Sequence, residues 1–484
     1  SISHTFNAIW NTSSITGLYT VNGNTIGSTS TSNSVQYSSA GTGTTAAVIT
    51  GILQAAAPSL GAYITNNTIA NLNNTYVPAA ANTSTHIRGI WASSGRDSIA
   101  GNTVRNLTVA SNGTGTGSSA SVIGIGNVTS TTGNSYIRAN TIHSLANNNS
   151  TAASYVSGIV YNGSTTAGMI DRNLIHSLTS PSTSALVNGI NIVGATATYQ
   201  NNMIRLGIDA SGTAIVTATN YNGILETAGT NNIWHNTVYI GGTGVNATPA
   251  TSTYAFYNNA TLTSTRSIRD NIFMNERSAS SGTSKHYAIR MGGTTPPFSG
   301  LTINNNIYRA TGATTGVLGF INGADVTTLG AWQTASGQDA NSLNANPCLS
   351  NPTAGTPDLH LTNCGGAGSP ADGVGANVGV TDDYDQDVRV NLTPTDIGAD
   401  AGNYGAVGVD VGLTALVAPA APTGCYTSTE TVTVTLKNYS PSVTIDFSVN
   451  PVTVSVTATG AVSYSDNIVI NSGTLAPGAT QNVT

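Results

Sequence analysis

Apolar residues along this chain recur in two alternating short patterns rather than in helical stripes. The first is Ile-x-x-Asn-x-Ile with its variants, returning about every 35 residues. Its copies set Asn24, Asn67, Asn102, Asn140, Asn173, Asn202, Asn236, Asn271 and Asn306 between flanking Ile, Val, Tyr or Phe. The second pattern lies upstream of most copies: Gly51-Ile52, Gly89-Ile90, Gly124-Ile125, Gly158-Ile159, Gly189-Ile190 and Gly223-Ile224, then Ala255-Phe256 and Ala288-Ile289. Both are brief and rich in Ile, Val and Tyr, which predicts strands; no window carries the 3.6-residue period with good helix formers. A fixed period of this length predicts stacked units, because no single unit can bury its apolar face alone.

The parity of the Asn pattern adds a bend. In Ile64-x-x-Asn67-x-Ile69 the apolar residues are an odd number of positions apart, whereas a straight strand puts only even spacings on one face. The expectation is that the chain turns at the Asn, a residue that tolerates left-handed backbone angles. Stacked from coil to coil, the amides would form a ladder, since each carries donor and acceptor. Leu72, Leu107, Leu145 and Leu178 mark a further inward position. Gly/Ser/Thr/Asn tracts such as Ser111 to Ser119 and Gly242 to Thr253 read as loops of variable length.

The predicted fold is therefore all-β. Residues 1–310 form a parallel β-helix of about nine coils, roughly 40 Å long at the spacing of stacked strands. Residues 311–408 close the β-helix, and residues 409–484 form an immunoglobulin-like β-sandwich, incomplete at this length. Within the last region Val417 to Thr423 reads as a Pro/Ala linker. Strands are expected at Thr431 to Leu436, Val443 to Val449, Val452 to Thr457 and Asn467 to Ile470.

Composition narrows the function. Charged residues are 7% of the chain, against roughly 25% in ordinary soluble domains. A net charge of −6 over 484 residues gives no electrostatic case for nucleic acid or an anionic membrane, and no run is apolar enough to span a bilayer. Carboxylates within the repeats are scattered. Asp171 and Asp270 lie about three coils apart, roughly 14 Å, too far for a glycosidase pair. No Ser-His-Asp pattern or metal-ligand spacing emerges, so catalysis and catalytic residues are not expected. Cys348 and Cys364 are close in sequence, and a disulfide between them would place the chain in an oxidising compartment; the other reading is a reduced pair. Cys425 has no evident partner.

Beyond Tyr308 the repeat fades into Trp332-Gln333-Thr334-Ala335-Ser336-Gly337-Gln338-Asp339, Pro357-Asp358-Leu359-His360-Leu361 and Ser369-Pro370-Ala371. Asp383-Tyr384-Asp385-Gln386-Asp387-Val388-Arg389 and Asp396-Ile397-Gly398-Ala399-Asp400 follow. In that order, and with the repeats, these segments resemble the right-handed parallel β-helix regions of large secreted surface proteins of Bacteroidota and related bacteria. The resemblance covers about the first 400 residues and implies a secreted, modular, non-catalytic protein. Gln386 and Ala401 depart from the family, which often has Gly and Glu there.

Three features are candidates for sites. Arg105, His143, His176, Arg205 and Tyr239, each three residues after a ladder Asn, would form an outward stripe for an acidic glycan or a neighbouring subunit, or simply a solvated face. Asp383, Asp385 and Asp387 with Asp382 would hold Ca²⁺, the one cofactor considered, or form a charged capping turn near Arg389. Ile2, Phe6, Ala8 and Trp10 share a strand face and would be donated to a neighbour's sandwich, unless the segment is the first coil. The leading expectation is an extracellular structural protein, a subunit of a surface layer or of a homopolymeric filament joined head-to-tail. The alternatives are a cell-surface adhesin or carbohydrate-binding protein stacking glycans on Tyr239, Trp234 or Trp332, and then a polysaccharide lyase or glycoside hydrolase.

Overall fold

The computed structural model describes residues 4–38, 45–78, 81–129, 133–163, 168–260, 265–279, 282–292, 300–312, 315–389, 395–405, 409–419, 429–440, 443–460 and 463–484. The chain is all-β, a parallel β-solenoid followed by small antiparallel sheets. Three sheets run through the solenoid. Sheet A starts at Thr5–Asn11 and Val48–Gln54 and continues to Lys285–Met291 and Gly316–Ile321. Sheet B has nine strands, from Tyr19–Asn22 to Leu301–Asn304, and sheet C runs from Thr25–Ile26 to Ile307–Ala310. The Gly-Ile pattern lies in sheet A, and the Asn pattern crosses from sheet B to sheet C, as in Ala62–Thr65 followed by Thr68–Asn74.

The bend between sheets B and C corrects one expectation. The left-handed residue is not the ladder Asn but the residue before it: Gly23, Asn66, Gly101, Ala139, Arg172, Asn201, His235, Asp270 and Asn305, with φ between 50° and 70°. That turn leaves the Asn side chain free to point inward. Each ladder Asn from Asn24 to Asn271 donates its backbone N–H (2.9–3.1 Å) and its Nδ2 (2.9–3.0 Å) to the Oδ1 of the next. From Asn67 onward Nδ2 also donates to a backbone carbonyl of the preceding coil, at 2.8–3.0 Å. At the far end Asn306 donates instead to Ser342 Oγ, 2.8 Å away.

A second left-handed column, Asn71, Asn106, Ser144 and Ser177, follows four residues after the ladder Asn. It lets Ile69 and Leu72, an odd spacing apart, both enter the core. In sheet A the small residue is steric. A Cβ on Gly158 would lie 2.6 Å from Ile175 Cγ2 and 2.7 Å from the Gly189 carbonyl oxygen, so the inward residues Val156 and Ile159 straddle it.

Closure differs from the expected 311–408 block. The solenoid continues past residue 310 into the sheet A strand Gly316–Ile321, which pairs antiparallel with Ala324–Val326. The helix Leu329–Ser336, capped by Thr328 and ended by left-handed Gly337, then covers the end of the core. Its Trp332 is fully buried, and Trp332 Nε1 (2.6 Å) and Tyr308 Oη (2.8 Å) both donate to Asp339 Oδ2. Residues 370–389 and 395–402 do not cap the end; they run as a strap along the B–C bends. Asp382 pairs with Arg172 at 2.8 Å, Ala376 donates to Asp270 Oδ1 at 2.7 Å, and Asn305 Nδ2 donates to the Val374 carbonyl at 3.1 Å. Fully buried Arg389 ties the strap together, donating to the carbonyls of Asp382, Asp396, Gly398 and Ala399 and to Asn201 Oδ1.

The chain divides into two compact units: residues 1–361 with 370–402, and residues 362–369 with 403–484. The second contains a three-stranded sheet (Val411–Ala418, Thr433–Asn438, Thr480–Val483), the pair Ile445–Asp446 with Thr474–Leu475, and the hairpin Val452–Ala458 with Tyr464–Ile470. Val434, Leu436, Phe447, Val454 and Leu475 form its small core. The strand expected at Val443 to Val449 shrinks to two residues, because Ser448 and Asn450 turn back onto Asp446. The segment Val411–Ala418 overlaps the expected linker, whose residues 420–423 lie outside the described residues, as does Cys425. No helix among the described residues is long and apolar enough to cross a membrane.

The donor-strand expectation is also corrected. Ile2 lies outside the described residues, and Thr5–Asn11 is the first strand of sheet A, paired parallel with Val48–Gln54. Phe6 (45% exposed) registers with Ile49 and Trp10 (60%) with Leu53, while Ile9 packs against the core opposite Ile52. Phe6, Ala8 and Trp10 are all exposed while Asn7, Ile9 and Asn11 turn inward, so the expected shared face is present, on the first strand of the chain's own sheet.

Candidate functional site

The long strands of sheet C, Thr68–Asn74, Thr103–Val109 and Thr141–Asn147, build the solenoid's clearest surface feature. Their left-handed residues turn polar side chains outward, and with Asn33, Thr108, Thr179 and Asp209 they line a shallow groove of about 530 Å³. It crosses six coil levels, roughly 24 Å at the strand spacing. Asn106 Nδ2 donates to Asn71 Oδ1 at 3.0 Å, and Thr108 Oγ1 donates to Asn73 Oδ1 at 2.9 Å. Asp209 is the one carboxylate in the lining. Burial pushes its pKa up, but hydrogen bonds from Ser211 and Thr213 and the charge of Arg205 more than offset this and hold it low.

Beside the groove the residues Arg105, His143, His176, Arg205 and Tyr239 are in register, strand to strand. They do not make an exposed stripe throughout, which corrects the expectation. Arg105 and His143 are half-buried, whereas His176, Arg205 and Tyr239 are buried. Neighbouring loops cover them: Arg205 donates to the carbonyls of Asp209, Ala354 and Gly355, and Tyr239 Oη donates to Glu276 at 3.3 Å. The His143 and His176 rings stack at 4.8 Å, each bonded through Nδ1 to the following serine. Burial, aided by Arg105 beside His143, lowers His143 to about 4; burial, His143 and Arg205 lower His176 to about 3. Both are neutral at pH 7.

The aspartate run is split. Asp383 is fully buried, and its carboxylate accepts from the backbone N–H of Asp385 (2.9 Å), Asp387 (2.8 Å) and Ala401 (3.0 Å). It is a turn-forming residue, so Asp383, Asp385 and Asp387 do not converge as one ligand set. Asp385 instead faces His360 and Asp400, whose ligand atoms all lie within 4.8 Å of one another. Three segments supply this cluster: the strand Asp358–Leu361, the loop after Asp383, and the end of the strap. Asp358 Oδ1 holds His360 Nδ1, and Asp400 Oδ2 accepts from Leu361 N at 2.7 Å. Burial lowers the His360 pKa, but Asp358, Asp400 and Asp385 outweigh it and leave it raised. No spacing in the sequence signals this cluster; only the strap's path does.

Cys348 and Cys364 are both disulfide-bonded. Of the aromatics considered for sugar stacking, Trp332 is in the core, Tyr239 is covered, and Trp234 is half-buried with Nε1 donating to Ser267 Oγ at 2.9 Å. An aromatic cluster that the sequence did not single out sits outside sheet A, where Arg290 lies over Tyr257 at 4.5 Å and Phe320 at 4.7 Å. In the smaller unit a depression of about 300 Å³ lies between Ile468–Ser472 and Gln481–Thr484. It faces strands Tyr464–Ile470 and Thr480–Val483, each paired on one side only among the described residues. Searches of family models, curated proteins and solved structures found no match to this chain.

Proposed function

We propose that this protein is an extracellular structural subunit of a surface layer or filament, with its solenoid as a stiff spacer. The asparagine ladder carries this reading. A continuous column of buried amides couples every coil to the next, which suits load-bearing and supplies no reactive group. The disulfide supports an oxidising compartment. The one-sided edges of the smaller unit's strands support assembly by β-strand addition, with a neighbouring chain as the partner. Because Thr5–Asn11 is engaged in its own sheet, that segment is not assigned as the donor. Electron microscopy of the purified protein in native buffer tests the proposal. Regular filaments or sheets with a subunit repeat are expected, and isolated particles at every concentration would reject assembly.

The sheet C groove favours a second reading, a glycan-binding surface. Its amide and hydroxyl lining matches sugar hydroxyls, and its length fits an extended oligosaccharide. A single, already hydrogen-bonded carboxylate favours binding over hydrolysis. A glycan array would show binding that Ser144→Tyr abolishes by filling the groove; binding unchanged in that variant would reject this surface.

A further inference from the structure

We infer that His360, Asp385 and Asp400 form a site for a divalent transition-metal ion that pins the strap to the strand Asp358–Leu361. The ligand set is one imidazole and two carboxylates, each from a different part of the chain. His360 is presented in the manner of a metal-bound histidine: Asp358 engages Nδ1, which fixes the ring and leaves Nε2 as the ligand atom. His360 Nε2 is shielded from solvent and lies 2.7 Å from Asp385 Oδ2, outside the alignment of a hydrogen bond. Ligand atoms around a zinc ion sit roughly 3 to 3.5 Å apart, given bonds of about 2.1 Å, so small side-chain rotations would admit the metal. Asp400 is almost fully buried, and its Oδ2 is held by the Leu361 N–H, so one wall of the site is rigid. Imidazole suits zinc, copper, iron or nickel, whereas calcium takes six to eight oxygen ligands, which this set does not offer.

The experiment uses the full chain, without an affinity tag and stripped with EDTA, titrated calorimetrically with Zn²⁺ and separately with Ca²⁺. One equivalent of zinc is expected to bind, with affinity reduced at least about tenfold in His360→Ala and in Asp385→Asn. Asp385 is half-exposed, so its variant should melt like the metal-free parent and separate ligand loss from misfolding. Hydrogen exchange should show zinc slowing residues 358–361 and 383–389 in the parent only. No stoichiometric zinc binding, binding that survives in both variants, or calcium binding as tight as zinc would each overturn the site. The cluster would then be a protonated histidine held between carboxylates.

Discussion

Replacing a mid-ladder asparagine tests the main structural argument. Asn140→Ala removes four hydrogen bonds: Nδ2 to the Ile99 carbonyl (2.9 Å) and to Asn173 Oδ1 (3.0 Å), and Oδ1 from Asn102 N and Nδ2 (both 2.9 Å). Not all of these leave orphans. Asn173 Oδ1 loses its Asn140 Nδ2 donor but keeps the Asn140 backbone N–H. Asn102 Nδ2 keeps the Ile64 and Ala100 carbonyls. The group stranded in the core is the Asn102 N–H, since the Ile99 C=O keeps its place in the sheet B ladder opposite Ile137. At about 1–3 kcal/mol for an unsatisfied buried group, the loss is about 2 kcal/mol. Asn24→Ala is the internal control. Asn24 is half-buried, and its two side-chain donations go to groups that keep other partners or face solvent, so the loss should stay below about 1 kcal/mol. Urea denaturation followed by circular dichroism gives the stabilities. Hydrogen exchange on a peptide spanning residues 98–105 shows whether the damage sits at the predicted amide. If Asn140→Ala costs under about 1 kcal/mol, or no more than Asn24→Ala, the ladder does not carry the coil-to-coil coupling assigned to it.

Three further outcomes follow from other parts of the fold. Burial raises the Asp97 pKa to about 7 despite a hydrogen bond from Asn127, so stability is full below about pH 4 and is lost as pH rises through 7. That amounts to about 4 kcal/mol for roughly three pH units. The lowered histidines act in the opposite sense, losing stability as pH falls below 6.5, so the difference between Asp97→Asn and the parent, measured at pH 5 and pH 8, isolates the carboxyl. Gly158→Ala should cost about 1–3 kcal/mol, because its Cβ meets Ile175 and backbone, whereas Ala288→Gly should cost less than about 1 kcal/mol; denaturation midpoints decide. Trp332→Phe should loosen the last coil by removing one of the three side-chain donors to buried Asp339, leaving those from Tyr308 and Ser342, seen as faster exchange at residues 316–321 with the first coils unchanged.

Local pattern alone determined the all-β solenoid, its repeat, the ladder asparagines and the inward Ile and Leu columns. Each is set by short-range periodicity, and every coil repeats the same constraint. The left-handed position escaped that logic, since Gly23, Asn66, Ala139, Arg172, His235 and Asp270 share a backbone angle but no side-chain chemistry. Whether Arg205, His176 and Tyr239 are exposed depended on loops that fold back over sheet C, one of them about 150 residues away in sequence. Likewise the aspartates read as a contiguous run were dispersed by the turn at Asp383. Asp385 was instead brought to His360 and Asp400 by a strap whose path is held by contacts to distant coils. Nearest-neighbour stacking is written into the repeat; long-range coverage depends on where non-repeating chain can satisfy buried groups, and only the tertiary structure decides that.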